Sequence, residues 1–359
     1  MKARRFELPF HIVKRDALPL WKALAIRVAS IVIALLLCSV LSIFLIDKSP
    51  LVFFKTMFNA VFSNSILIWQ FAKDTAVLLC ISLAITPAFR MRFWNIGAEG
   101  QTLIGALAAV TIAFYLGNGL PTGILLVIMF LAAILAGGIW ALIPAIFKAK
   151  WNANETLFTL MMNYVAMELV NFCISVWVKS GSGTLTPLSV GHLPTVFNSY
   201  FLLIAIVLLI TVLVHIYLRY TKQGYEISVV GESENTARYI GIKVNTVIVR
   251  TLLISGAICG IAGFLIVSAL DHTVSAESTV GGFGFIAIMV SWLAKFNPLA
   301  MIGTSAFITF LRKGTKNLAI RAAFPDIVVG MVLFFIIGCE FFINYKIKFR
   351  HSKSKGGEA

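Results

Sequence analysis

Glu99 is the residue whose type and position most demand a chemical account. It sits in the string Asn95-Ile96-Gly97-Ala98-Glu99-Gly100-Gln101, between two strongly apolar stretches. A charge at bilayer depth costs on the order of several kcal/mol and must be offset by structure or function. Asn95, Glu99 and Gln101 supply hydrogen bonds that lipid cannot, and Gly97 and Gly100 permit an irregular backbone or a close helix contact. Two readings stand side by side: a segment lining a polar pathway, or a structural element at the membrane boundary with Glu99 paired to Arg90 or Arg92. A second polar set follows in Asn154-Glu155-Thr156-Leu157-Phe158-Thr159-Leu160-Met161-Met162-Asn163-Tyr164. There Glu155, Thr159 and Asn163 recur every four residues and stack on one helix face. That face should meet other helices or a cavity, with Glu155 in the first turn suited to capping.

Catalytic constellations are missing. The five histidines are dispersed, with no His-Glu-x-x-His and no Gly-x-Ser-x-Gly elbow. There is no Gly-x-x-x-x-Gly-Lys-Ser/Thr loop, so the chain is not expected to bind and hydrolyse ATP itself. The five cysteines stand singly in apolar segments, without metal or disulfide spacing, and read as packing residues.

The elements that hold these residues are membrane spans. The chain has 359 residues, 59% hydrophobic and only 13% charged, which is far from the composition of a soluble domain. Long apolar stretches occupy residues 28–46, 124–147, 156–178, 201–218, 247–270 and 327–343. Shorter or polar-interrupted ones lie at 66–88, 102–116, 283–293 and 299–311. The expectation is an all-α polytopic membrane protein of about ten spans, because backbone groups in lipid must be paired within a segment. The first span is too long for a signal-peptide core and is expected to be retained. Residues 1–27 form a cytoplasmic segment, 28–345 the permeation domain with a cytoplasmic connection at 219–246, and 346–359 a basic tail.

The net charge of +15 does not point to nucleic acid, since the basic residues flank spans, where they set orientation. Lys2, Arg4, Arg5, Lys14 and Arg15 put the N-terminus inside. Arg90/Arg92, Lys148/Lys150, Arg219/Lys222/Arg238/Lys243 and the tail fall on the same side, with residues 179–198 and 271–277 outside. Arg312, Lys313, Lys316 and Arg321 break the rule, which a re-entrant neighbour would explain. Glu168, in an otherwise apolar stretch, is expected to face the bundle interior. Two glycine-broken segments, 95–105 and 280–298, match the half-helices found at mid-membrane sites of transporters. Phe283 and Phe285 in the second could stack on a solute ring or simply pack.

Three strings carry a resemblance. Asn95-Ile96-Gly97-Ala98-Glu99-Gly100-Gln101 resembles the Asn-Ile-Gly-x-Glu-Gly-Gln signature of permease subunits of bacterial ATP-binding-cassette importers for nucleosides and simple sugars. These belong to the branched-chain-amino-acid/ribose-type superfamily, in the branch served by basic-membrane-protein-type lipoproteins. Asn154-Glu155 with Thr159 through Tyr164 is similar to a second signature. Gly231-Glu232 through Ala237-Arg238-Tyr239-x-Gly241-Ile242 resembles the ATPase-coupling region, departing at Ser233-Glu234 and Thr236. The resemblance implies a cobalamin-importer-like (type II) bundle with broken helices in the bacterial cytoplasmic membrane. It implies no cofactor of its own, ATP being bound by separate cytoplasmic subunits. It also implies a second permease, usually non-identical, and an extracytoplasmic binding lipoprotein. Gly231, Glu232, Ala237, Arg238, Tyr239 and Gly241 would couple to the ATPase, and Asn95, Glu99, Gln101, Thr159, Asn163, Phe283 and Phe285 would border the solute path. The alternatives are a self-sufficient secondary transporter or channel, with Glu99 or Glu168 carrying protons, and a membrane-bound enzyme.

Overall fold

A computed structural model describes residues 10–14, 19–46, 49–178, 184–316, 318 and 324–349. Lys2, Arg4, Arg5, Arg15, Lys179, Arg321 and the tail beyond 349 lie outside the described residues, so their assignments to a membrane side rest on sequence alone. Among the described residues the order is β1 (Phe10–Lys14), α1 (Leu20–Ile46), α2 (Pro50–Phe62), α3 (Ser65–Arg90), α4 (Ala98–Leu116), α5 (Thr122–Trp151) and α6 (Glu155–Trp177). There follow α7 (Phe201–Tyr220), α8 (Lys222–Glu232), α9 (Glu234–Tyr239), α10 (Val244–Ile266, extended by a π turn over Val267–Asp271), α11 (Phe283–Leu293), α12 (Pro298–Lys316), α13 (Phe324–Asn344) and β2 (Tyr345–Phe349). Among the described residues eight helices are long and apolar enough to cross a membrane. The protein is a polytopic, essentially all-α membrane protein whose one described sheet is a two-stranded ladder of β1 with β2.

Two compact units emerge, residues 1–63 with 311–359, and residues 64–310. In the first, β1 and β2 pair antiparallel from Phe10↔Phe349 to Lys14↔Tyr345. Helices α1 and α13 also run antiparallel, tied by Arg27 to Glu340 at 2.6 Å and by Cys38 Sγ to Met331 Sδ at 3.4 Å. That pair answers for Glu340, an ionisable group at the end of a span. The closing turn of α12 holds Arg312, which lies 3.7 Å from Asp326 of α13.

In the second unit α10 is the axis. Its glycines replace side chains with backbone contact: a Cβ on Gly260 would lie 2.1 Å from the Ala133 carbonyl oxygen of α5. A Cβ on Gly263 would lie 2.3 Å from the Thr102 carbonyl oxygen of α4. Small residues allow this close crossing, which drives helix association where lipid offers no hydrophobic gain. Helices α4 and α6 run parallel, joined at one end by Thr159 and Asn163 to residues 96–100, and at the other by Phe114 stacked on Trp177 at 5.3 Å.

α11 spans 11 residues, roughly 16 Å at 1.5 Å per residue, half of a ~30 Å hydrocarbon layer. It is too short to cross such a layer by itself. Its start touches Glu99, and its end brings Trp292 against Trp94 and Phe296 against Phe89, beside the end of α3. Among the described residues neither α11 nor α12, the two short spans counted from the sequence, is among the helices long and apolar enough to cross.

Glu168 corrects an expectation. It is exposed, not turned into the bundle. The buried face of α6 is Thr159, Asn163, Ala166, Val170 and Ile174, spaced by three and four. Glu168, five residues beyond Asn163, is rotated about 140° from it at 100° per residue.

Candidate functional site

Met91–Gly97 is irregular and climbs from the end of α3 to the middle of α10, where Asn95 meets Ser255. Ser255 lies about 16 Å along α10 from Val244, so α4 begins inside the bundle. Five side chains hold the climbing segment. Asn95 Nδ2 donates to Gln101 Oε1 and to Ser255 Oγ, each at 3.3 Å, and Asn95 Oδ1 accepts from Gly97 N–H at 3.0 Å and from Gln101 Nε2 at 3.1 Å. Thr159 Oγ1 accepts from Ile96 N–H at 3.1 Å. Asn163 accepts from Gly100 N–H at 2.9 Å and donates to the Ile96 carbonyl at 3.0 Å. All five are buried. Backbone that has left a helix inside a membrane must find such partners or lose several kcal/mol per group, by order of magnitude.

Glu99 closes the arrangement. Its Oε1 accepts from Gly282 N–H at 2.8 Å and its Oε2 from Gly284 N–H at 2.7 Å. The carboxylate therefore caps the N-terminus of α11, where the partial positive charge of a helix end favours an anion. Only 8% of Glu99 is exposed. The anticipated arginine pairing is replaced as the defining contact, and Arg90 instead donates to the Leu218 carbonyl at 3.4 Å. Gly284 has no room for a side chain, since a Cβ there would lie 2.5 Å from Glu99 N. Gly281 and Gly282 turn the chain with φ of +61° and +79°, conformations that favour glycine.

Phe283 is half-buried and Phe285 exposed. Phe285, Met289 and Trp292 share the exposed face of α11, and Trp292 continues to Trp94 at 5.4 Å between ring centroids. Glu155 is not the cap of α6: Asn154 accepts from Leu157 N–H at 3.1 Å, while Glu155 pairs with Lys148 at 2.8 Å.

The second group lies at the opposite end of the irregular segment. Thr221 and Ser233 cap α8 and α9, each accepting from the backbone three residues on. Ser233 thereby supplies the helix start at the position where the sequence departs from the familiar coupling string. Gly231 packs on α3, a Cβ there falling 2.2 Å from the Arg90 carbonyl oxygen. Ala237 is buried, while Glu232, Arg238 and Tyr239 are exposed, Tyr239 at 92%, and Gly241 turns with φ +85°. Arg238 reaches Glu234 at 3.4 Å along the same face.

Three partners escaped sequence reasoning. Gly282 and Gly284 lie 183 and 185 residues from Glu99, beyond any local pattern. Ser255, alone in a long apolar run, carries no spacing that would tie it to Asn95. Gly256-x-x-x-Gly260 was visible, because small residues four apart in an apolar run mark a helix crossing.

Residues 184–198 lie over the π turn of α10. Leu188 N–H donates to the His272 carbonyl at 2.8 Å and Leu193 N–H to the Ser268 carbonyl at 2.9 Å. His192 and His272 stack at 3.8 Å between ring centroids. Burial, followed by the neighbouring His192, lowers the pKa of His272, a hydrogen bond with the Val267 backbone opposing.

The chain is 27% identical over 354 residues to the glucose ABC transporter permease protein of Haloferax volcanii, covering 93% of this chain and 92% of that one. It is 28% identical over 315 residues to a guanosine ABC transporter permease protein of Bacillus subtilis, covering 84% and 88%. A second guanosine ABC transporter permease protein of that organism is 26% identical over 247 residues, covering 65% and 76%. Residues 67–337, from the start of α3 to α13, match the model of the branched-chain amino acid transport system permease component, and the chain belongs to that family.

Proposed function

We propose that this chain is one of two permease subunits of an ATP-driven importer in a bacterial cytoplasmic membrane, carrying a nucleoside or a related simple sugar. The carrying observation is the pair α8 and α9: a cytoplasmic element wedged by Gly231 against α3, with Tyr239 and Arg238 presented outward. A short exposed helix anchored to spans is suited to receive motion from a soluble subunit. Hydrolysis belongs to that subunit, and the chain itself carries no cofactor and no enzymatic step. Residues 231–241 dock on the ATPase, and an extracytoplasmic lipoprotein delivers the solute.

Glu168 supports a second permease. A carboxylate partway along α6 on an exposed face is costly against lipid, and a neighbouring subunit or a water-filled interface removes that cost. The two similar guanosine permeases of one organism suggest a non-identical partner.

The solute path runs along the exposed face of α11. The irregular backbone at 272–282 is untenable against lipid and must line a cavity or meet protein. Phe283, Phe285 and Trp292 offer ring faces to a base or sugar, and Glu99, Asn95, Gln101, Thr159 and Asn163 hold that wall in place. Reconstitution in proteoliposomes with the ATPase, the second permease and the binding protein tests this. Guanosine or glucose uptake should require ATP. Uptake by the isolated chain driven by an ion gradient would overturn the reading in favour of a secondary transporter.

A further inference from the structure

We infer that the Glu226–Arg250 ion pair is the link through which motion of the ATPase-docking segment reaches the centre of the membrane, an inference that rests on the ATP-driven reading above. Glu226 lies on α8 and Arg250 in the second turn of α10, and Arg250 Nη2 donates to Glu226 Oε2 at 2.8 Å. Both side chains are largely shielded, 17% and 27% exposed. At this depth a charge pair is more directional and less screened than on an open surface.

The other seats of α8 are contacts of a different kind. A Cβ on Gly224 would lie 2.4 Å from the Tyr217 carbonyl oxygen of α7, and Gly231 abuts the Arg90 carbonyl. These hold α8 against two spans by shape. The ion pair ties it to α10, and α10 is the element that reaches the solute wall. Ser255 stands five residues, roughly 7.5 Å, beyond Arg250. It accepts from Asn95, Asn95 is locked to Gln101, and Glu99 of the same turn caps α11. A pull on α9 is thus carried by α8 to Arg250, along a rigid helix to Ser255, and across three hydrogen-bonded side chains to the half-helix beside the path. Tyr217 Oη of α7 lies buried in the same corner, beside the Arg250 guanidinium. Glu226 and Arg250 are positioning residues that touch neither solute nor ATP.

The test uses the complete importer in proteoliposomes, reading ATP hydrolysed per solute taken up. E226Q and R250Q should still co-purify with the ATPase and hydrolyse ATP, with uptake at least 10-fold lower and the ratio raised accordingly. The exchange E226R/R250E, which restores an opposite-charge pair, should recover most of the lost uptake. Should either neutral variant fail to assemble, E226D and R250K, which keep both charges, are read by the same ratio and should raise it less than threefold, while E226K should raise it most. Single variants with an unchanged ratio, or an exchange no better than the singles, would overturn the inference. Wild-type uptake that ignores ATP would instead overturn the importer reading itself.

Discussion

Glu99→Gln isolates the cap on α11 with almost no change of shape. In the wild type two carboxylate oxygens face two backbone N–H groups at 2.8 and 2.7 Å. Glutamine keeps one acceptor and turns an NH2 group towards the other N–H, so one bond is lost and two donors oppose each other. A hydrogen bond to a charged group is worth about 1.5–3 kcal/mol, and a carboxylate at a shielded helix N-terminus up to about 2 kcal/mol more. Against this stands relief of the carboxylate's own desolvation, which favours the amide. The balance is a local loss of about 2–4 kcal/mol at the start of α11. Because each 1.4 kcal/mol is tenfold, the Gly282–Gly284 amides should exchange with deuterium roughly 30- to 1000-fold faster. Amides at the centre of α10 should be unchanged. The measurement is hydrogen exchange on the protein in a lipid nanodisc, read on peptides covering 280–290 and 250–262. Exchange of Gly282 and Gly284 within threefold of wild type would refute the cap. Normal uptake with accelerated exchange would leave Glu99 a structural residue with no hand in the solute path.

Asn163→Ala removes both hydrogen bonds that hold Ile96 and Gly100, leaving a buried N–H and C=O unpaired. It should cost about 2–4 kcal/mol, visible as a lower thermal aggregation midpoint and faster exchange at residues 96–100. Gly260→Ala places a methyl 2.1 Å from the Ala133 carbonyl oxygen and should destabilise the α5–α10 crossing by about 1–3 kcal/mol. Gly303→Ala, where nothing lies within 4 Å, should leave the same midpoint unchanged. For His272 the folded-state pKa is lowered, so the folded protein disfavours its protonation. The contact of residues 184–198 with the π turn is therefore fully stable above the ordinary histidine pKa of about 6.5, and weakens as pH falls from there through the lowered folded value. Exchange of the Leu188 and Leu193 amides, corrected for intrinsic rates, should rise between pH 7 and pH 5, and His272→Asn should abolish that rise.

What the sequence by itself determined is everything that rests on local composition and spacing. Apolar runs announced the eight long crossing helices found among the described residues, because lipid forces each segment to pair its own backbone. Thr159 and Asn163, four apart, declared a buried face on α6, and the polar stretch 219–246 declared a connection between spans. The two glycine-broken segments were visible as breaks. That they meet each other was decided only in three dimensions, because Glu99 and Gly284 are joined across 185 residues by the parallel packing of α4 with α10 and the half-length of α11. The same holds for Glu226 with Arg250 and Ser255 with Asn95, pairs that no period links. Glu168 went the other way: a lone carboxylate in an apolar run says that it needs a partner, but the face it occupies is fixed by which neighbours α6 packs against. A sequence states what each group requires of its surroundings. Only the packing of the spans decides which distant group meets that requirement, since hydrogen bonds and charges act over a few ångströms of space and take no account of distance along the chain.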